Sequence, residues 1–202
     1  MKFVKSLFNE STKIVNMEMN GPEKKFAVAA LAVFKRFGVR KATMEEIAAE
    51  AGVSKPTLYA TFRNKDAALG GAIRYAKGEA LRALTVDWAG MSLPDKLDMF
   101  KDRLVLAGFD MLHAAPDPAA FENAVGEHSQ AAIDDTRAAE VAAVAELFAS
   151  ARDLKGLGTD AHGLAEFIVS SAMNAKRQAQ NRDELESYLK VLKAMSLKAI
   201  EH

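Results

Sequence analysis

Residues 43–69 read TMEEIAAEAGVSKPTLYATFRNKDAAL, and this stretch decides the fold. Thr43 and Glu46 have the spacing of a capping box, and Ser54 is a good helix N-cap, so two short helices are predicted. The turn between these helices has only four residues, and Gly52 can adopt the positive φ that such a turn requires. The stretch therefore predicts a helix-turn-helix.

A further helix is predicted just before this stretch, from about Glu23 to Phe37. Pro22 suits the start of a helix, and Gly38 suits its end. One face of this helix is apolar and is expected to pack against the two short helices. Its apolar residues are Phe26, Ala30, Val33, Phe34 and Phe37.

The second short helix has two distinct faces. At about 100° per residue, Leu58 and Phe62 point in one direction and are expected to be buried. That burial turns the opposite face outward and leaves Lys55, Pro56 and Thr57 at an exposed tip. Small residues let such a helix approach DNA closely, and a lysine or threonine at its tip can reach base edges in the major groove.

Side chains suited to phosphate contacts surround this helix. They are Arg40, Lys41, Thr43, Tyr59, Thr61 and Lys65. The charge distribution agrees with this interpretation, since residues 1–65 contain 12 Lys or Arg against 6 Asp or Glu, whereas residues 66–202 contain 15 against 21. A basic segment joined to an acidic one indicates two roles, of which the first is contact with nucleic acid.

The rest of the chain is also predicted to be helical, because apolar residues recur at spacings of three and four and strand patterns are absent. We expect an all-α fold of about nine helices. The later helices are predicted at about 64–86, 94–115, from 118, at 134–152, at 160–182 and at 183–201. The last two carry apolar stripes, formed by Leu164, Phe167, Ile168, Ser171, Ala172 and Ala175, and by Leu185, Tyr188, Leu189, Leu192, Met195 and Ala199.

These features together resemble the TetR family of bacterial transcriptional repressors. The resemblance covers about residues 22–70 and depends on the glycine turn, Thr57-Leu58-Tyr59, Phe62 and Asn64-Lys65, which have the family's spacings. It implies that the tip of the second short helix faces bases and that Tyr59 and Lys65 hold the DNA backbone. Two positions depart from the family pattern: Thr61 replaces a frequent aromatic or histidine, and Glu45 replaces an arginine that reads bases in some members.

The chain is expected to have three parts. The apolar residues and lysines of 1–21 are consistent with either an extra helix or an N-terminal arm along DNA. The resemblance implies that 22–67 form the DNA-binding domain and 68–202 a helical domain for effector binding and dimerisation. The partners are then a palindromic double-stranded DNA operator, a small-molecule effector, and a second copy of the chain bound through the two C-terminal helices. Candidate pocket residues are Trp88, Met91, Phe100, Leu104, Phe109, Met111, His113, Phe121, Phe148 and Phe167.

Other classes of protein are less consistent with the sequence. We find no signature of a catalytic site, no paired-histidine metal site and no reason to expect a cofactor, so an enzyme is not expected. There are no cysteines and no apolar stretch long enough to cross a bilayer, and we expect a cytoplasmic protein that joins the nucleoid when bound to DNA. The alternative function is an architectural DNA-binding protein of the same fold without an effector.

Overall fold

The computed structural model describes residue 19 and residues 21–88, 90–114, 116, 119–149, 154 and 158–200. In this part of the chain all regular structure is helical, which confirms the predicted all-α class. The predictions for the arm or extra helix at 1–21 lie almost wholly outside the described residues. The chain divides into two compact units, and each has its own buried core.

The first unit comprises Val15–Glu79 and Met111–Thr136. Its helices are α1 (Gly21–Lys41), α2 (Met44–Glu50), α3 (Lys55–Thr61), the first part of α4 (Lys65–Asp87), α6 (Ala119–Ala124) and the start of α7 (Glu127–Phe148). Helix α1 is interrupted at Gly38, whose φ of 77° and ψ of 157° are not helical. The glycine therefore ends the regular helix where the sequence predicted.

The first-unit core is assembled around α1. Side chains of α1, α2 and α3 are buried together, and α6 packs on the same core through Phe121 and Ala124. Ile47 and Leu58 are fully buried, whereas Phe37 is exposed and lies beside Arg36. The prediction that Phe37 belongs to the buried stripe was therefore wrong: the large buried side chains of the stripe end at Phe34, and Phe37 directly precedes the non-helical Gly38.

The second unit contains Ala80–Asp110 and Arg137–His202. It includes α8 (Ala161–Gln178), α9 (Arg182–Lys198) and most of α5, which extends over 93–113. The middle of α5, Lys101–Leu106, is π-helical between the α-helical segments Leu93–Phe100 and Ala107–His113. Leu164, Ile168, Leu185, Leu189 and Leu192 are buried, so the periodicity correctly identified an inward face on both C-terminal helices.

Two predictions about these helices were wrong in detail. Helix α7 begins at Glu127 and not at about residue 134. Tyr188 and Met195 have core spacing on the last helix, but both are exposed in the single chain. The helical period identifies an apolar face, but it does not show whether the same chain covers that face.

Candidate nucleic-acid interface

The turn between α2 and α3 has the geometry that the sequence predicted. Gly52 has φ +63°, and the N–H of Val53 donates to the carbonyl of Ala48 at 3.0 Å. A residue with a Cβ would be strained at this φ, whereas glycine adopts it easily. The turn fixes the direction in which α3 leaves α2.

Helix α3 is buried on one side and exposed on the other. Leu58 is 0% exposed and Phe62 is 4% exposed, while Lys55, Pro56 and Thr57 are all exposed. The side-chain oxygen of Ser54 accepts from the backbone N–H of Thr57 and so caps the start of the helix at its exposed tip. The structure thus places the three predicted base-contacting residues together on the outer surface.

The predicted phosphate-contacting residues lie around the same surface. Arg40, Lys41, Thr43, Tyr59 and Thr61 are exposed. Thr43 is also the N-cap of α2: its side-chain oxygen accepts from the N–H of Glu46, and the Glu46 carboxylate accepts from the N–H of Thr43 at 2.9 Å. The predicted capping box is therefore present.

Lys65 has a structural role in addition to its predicted phosphate contact. Its Nζ donates to the carbonyl of Arg40 at 3.1 Å and to that of Ala42 at 3.2 Å. These carbonyls lie at the end of α1 and in the link to α2. The lysine therefore joins the start of α4 to the segment that leads into the helix-turn-helix.

An ion pair on this surface was not predicted. The ammonium of Lys55, at the tip of α3, donates to the carboxylate of Glu45 in the first turn of α2. This hydrogen bond is the main reason that the pKa of the Glu45 carboxyl lies below its ordinary value. Both side chains are about half exposed. The sequence signal was the opposite charge of two residues at the starts of successive helices.

Asp66 was also missed. Its carboxylate accepts from the N–H groups of Gly126, His128 and Ser129 at 3.0, 2.8 and 3.2 Å, and from the Ser129 hydroxyl. Desolvation raises the pKa of Asp66, but these hydrogen bonds outweigh it and the net pKa is lowered. Asp66 therefore caps the start of α7 from the first turn of α4.

The predicted pocket residues differ in exposure. In the second unit Trp88, Phe100, Leu104, Phe109 and Phe148 are buried, whereas Phe167 is exposed. In the first unit Met111 and His113 are exposed and Phe121 is half-buried. An open groove of about 390 Å³ in the second unit is lined by predicted residue Met91 together with Asp95, Asp98, Met99, Asp102 and Arg103.

The described residues give two further findings. No group of three or more His, Asp or Glu side chains among them is placed to hold a metal ion. No helix in the same part of the chain is both long and apolar enough to cross a membrane.

A short helix that is exposed on one face and presented by a tight turn is the geometry of a helix-turn-helix. Residues 27–69 match the family model described as bacterial regulatory proteins of the tetR family. The chain thus carries the N-terminal domain of the TetR family, and the resemblance inferred from the sequence is confirmed. No curated protein was found to match the chain.

Solved structures extend the likeness of fold to nearly the whole chain. A transcriptional regulator from Rhodococcus sp. Rha1 has a TM-score of 0.64 at 19% identity, over 91% of this chain and 99% of its own. E. coli NemR in its reduced form has a TM-score of 0.61 at 15% identity, over 86% of this chain and 97% of its own. A tetR-family transcriptional regulator from Streptomyces coelicolor has a TM-score of 0.61 at 19% identity, over 90% of this chain and 82% of its own. At these identities the likeness is one of fold, while the family model matched by residues 27–69 is that of bacterial regulatory proteins.

Proposed function

We propose that the chain is a cytoplasmic transcriptional repressor that binds a palindromic operator as a homodimer and leaves it when a small-molecule effector binds. Residues 22–67 form the DNA-binding domain, and residues 68–202 bind the effector and the second subunit. The bound protein is associated with the nucleoid. The observation that carries the proposal is the exposed tip of α3 above a fully buried Leu58.

The proposed DNA contacts follow from exposure and chemistry. Lys55, Pro56 and Thr57 enter the major groove, where a lysine donates to guanine O6 and N7. Around them, groups with N–H or O–H donors hold the phosphates and fix the position of the helix. These are Arg40, Lys41, Thr43, Tyr59, Thr61 and Lys65.

Selection of bound duplexes from a random DNA pool tests this proposal. We expect the purified protein to enrich a palindrome whose half-sites lie about 34–36 Å apart, because each subunit presents one α3. Lys55→Ala should weaken binding to that sequence by about 1–3 kcal/mol and relax its base preference. A pool that shows no enrichment at low or moderate salt would refute operator binding.

The proposed dimer rests on an apolar surface of the second unit. Phe167 on α8 is 57% exposed, and Tyr188, Val191 and Met195 on α9 are 47%, 59% and 60% exposed. The three α9 residues are spaced three and four apart, so they share one side of the helix. Large apolar patches of this kind mark interaction sites, and two copies of α8 and α9 can cover each other as a four-helix bundle.

The oligomeric state of charged variants tests the dimer. Val191→Glu should convert a dimer to a monomer in sedimentation equilibrium, because a carboxylate without a partner would be buried in the bundle. Lys190→Glu is the matched control, since this exposed residue points away from the apolar side of α9. A wild-type monomer at all concentrations, or an unchanged dimer for Val191→Glu, would contradict the proposed interface.

The proposed effector requires differential affinity for the two states of the protein. A ligand that raises the melting temperature of the free protein should also raise the concentration of protein needed to occupy the operator. The predicted pocket residues guide the variants: Phe100→Ala or Phe148→Ala should reduce the ligand-induced shift. If stabilising ligands never release the DNA, an architectural protein of the same fold is the better description.

A further inference from the structure

The ion pair between Glu45 and Lys55 places a carboxylate on the proposed DNA surface. Glu45 is in the first turn of α2 and Lys55 is the first residue of α3, and both side chains are about half exposed. The other acidic residues of α2 have different partners, since Glu46 completes the capping box and Glu50 pairs with Arg36 at 3.1 Å. Glu45 alone on this helix faces the lysine of the tip.

Stability of the fold does not explain this pair. Two exposed charges gain little net free energy from pairing in water, because side-chain ordering and solvent screening offset the attraction. Near DNA, by contrast, a carboxylate is repelled by every phosphate. Its presence beside Lys55 therefore weakens binding to DNA of any sequence unless a base supplies a hydrogen-bond donor to it.

The major groove contains few such donors. Cytosine N4 and adenine N6 carry amino groups, while the other polar groups on the base edges are acceptors. The Lys55 ammonium has three N–H donors, so one can remain on Glu45 and two can bind neighbouring acceptors. Guanine N7 and O6 are such neighbours, and in a G·C pair the cytosine amino group lies next to O6.

We propose that Glu45 is a specificity-determining residue that reads one G·C base pair together with Lys55. Lys55 donates to guanine N7 and O6, and the carboxylate of Glu45 accepts from cytosine N4. An A·T pair fits less well, because the adenine N6 amino group lies between the acceptors adenine N7 and thymine O4. The pair therefore offers the Lys55 ammonium no two adjacent acceptors. This inference rests on the proposed binding of operator DNA and adds the base pair that is read.

Binding of the wild-type protein, Glu45→Ala and Glu45→Gln to selected duplexes tests the inference. Wild-type protein should enrich a palindrome with a G·C pair in each half-site, and replacement of this pair with A·T should weaken its binding about tenfold per half-site. Glu45→Ala should lose most of this discrimination and bind random-sequence duplex more tightly than the wild type. Glu45→Gln should move the preference toward A·T, because an amide pairs with adenine N6 and N7.

Glu50→Ala is the matched control. It also removes one negative charge from α2, but that carboxylate pairs with Arg36 and not with Lys55. It should keep the wild-type base preference. An unchanged preference at every position for Glu45→Ala, with a palindrome still selected, would overturn this inference and leave the proposed function intact. Equal relaxation in Glu50→Ala would also overturn it, since the effect would then be one of net charge. Absence of enrichment by the wild type would instead refute operator binding itself.

Discussion

Asp66→Ala tests the polar contacts that hold the start of α7. The change removes a carboxylate that accepts four hydrogen bonds at the start of α7. The first N–H groups of a helix have no partner within the helix, so these donors depend on a group outside it. The substitution by itself removes all four of these hydrogen bonds.

The magnitude follows from the two functions of this carboxylate. Loss of an N-cap typically costs about 0.5–2 kcal/mol, and a negative charge at a helix N-terminus contributes about 0.3–1 kcal/mol or somewhat more when partly buried. Asp66 is only partly exposed. We therefore expect Asp66→Ala to lower the free energy of unfolding by about 2–3 kcal/mol, which is about 4–12 °C in melting temperature for a protein of this size.

Urea denaturation followed by circular dichroism, at pH 7 and a fixed protein concentration, measures this change. Asp135→Ala is a suitable control, because Asp135 pairs with Arg74 of α4 at 2.9 Å but its side chain is 62% exposed. We expect the control to lose no more than about 0.5 kcal/mol. A loss below about 0.5 kcal/mol for Asp66→Ala, or equal losses for both variants, would refute the reasoning.

The same carboxylate predicts a dependence on pH. Because the pKa of Asp66 in the folded protein is below its ordinary value of 3.8, the carboxylate stabilises the fold fully above that value. The contribution is lost as the pH falls through the folded pKa. The stability difference between the wild type and Asp66→Asn should therefore shrink as the pH is lowered from about 5 to about 3. A stability difference that grows as the pH falls over this range would contradict a lowered pKa of Asp66 in the folded protein.

Three further substitutions and one control test the first unit. Gly70→Ala should lower the free energy of unfolding by about 1–3 kcal/mol, because its Cβ would lie 2.8 Å from the carbonyl oxygen of His128. Gly21→Ala, whose Cβ would meet nothing within 4 Å, is the control and should not be destabilising; thermal unfolding measures both variants. Thr43→Ala should cost about 1 kcal/mol of stability through loss of the capping box, measured by urea denaturation. Lys65→Ala should weaken binding to all duplexes and reduce the salt dependence of binding by about one phosphate contact. It should also lower the free energy of unfolding by about 1 kcal/mol, and an unchanged stability would contradict the two hydrogen bonds to carbonyls.

Local signals in the sequence were sufficient for the helix-turn-helix. The side chains of Thr43, Ser54 and Asn64 each accept a hydrogen bond from the backbone N–H three residues later. The starts of α2, α3 and α4 therefore depend on near neighbours in sequence. The faces of α3 follow from the helical period, which correctly placed Leu58 and Phe62 inside. Such features could be predicted because their partners are close in sequence.

The features that were missed depend on distant partners. The start of α7 at Glu127 is capped by Asp66, which is 60 residues from Gly126 in sequence, so no pattern near residue 127 announces it. The pair of Glu45 and Lys55 crosses a turn and belongs to no helical period. In both cases a charged side chain finds its partner only after the helices have packed.

Adjacent residues at the start of α4 show how such partners organise the first unit. Asn64 caps α4, Lys65 donates to carbonyls at the end of α1 and in the link to α2, and Asp66 accepts from the start of α7. Lys65 and Asp66 thus connect the first turn of α4 to the end of α1, to the link before α2 and to the start of α7. Because the link between α1 and α2 leads into α2, and the turn at the end of α2 directs α3, the orientation of the exposed tip depends on these polar contacts as well as on the buried face below it.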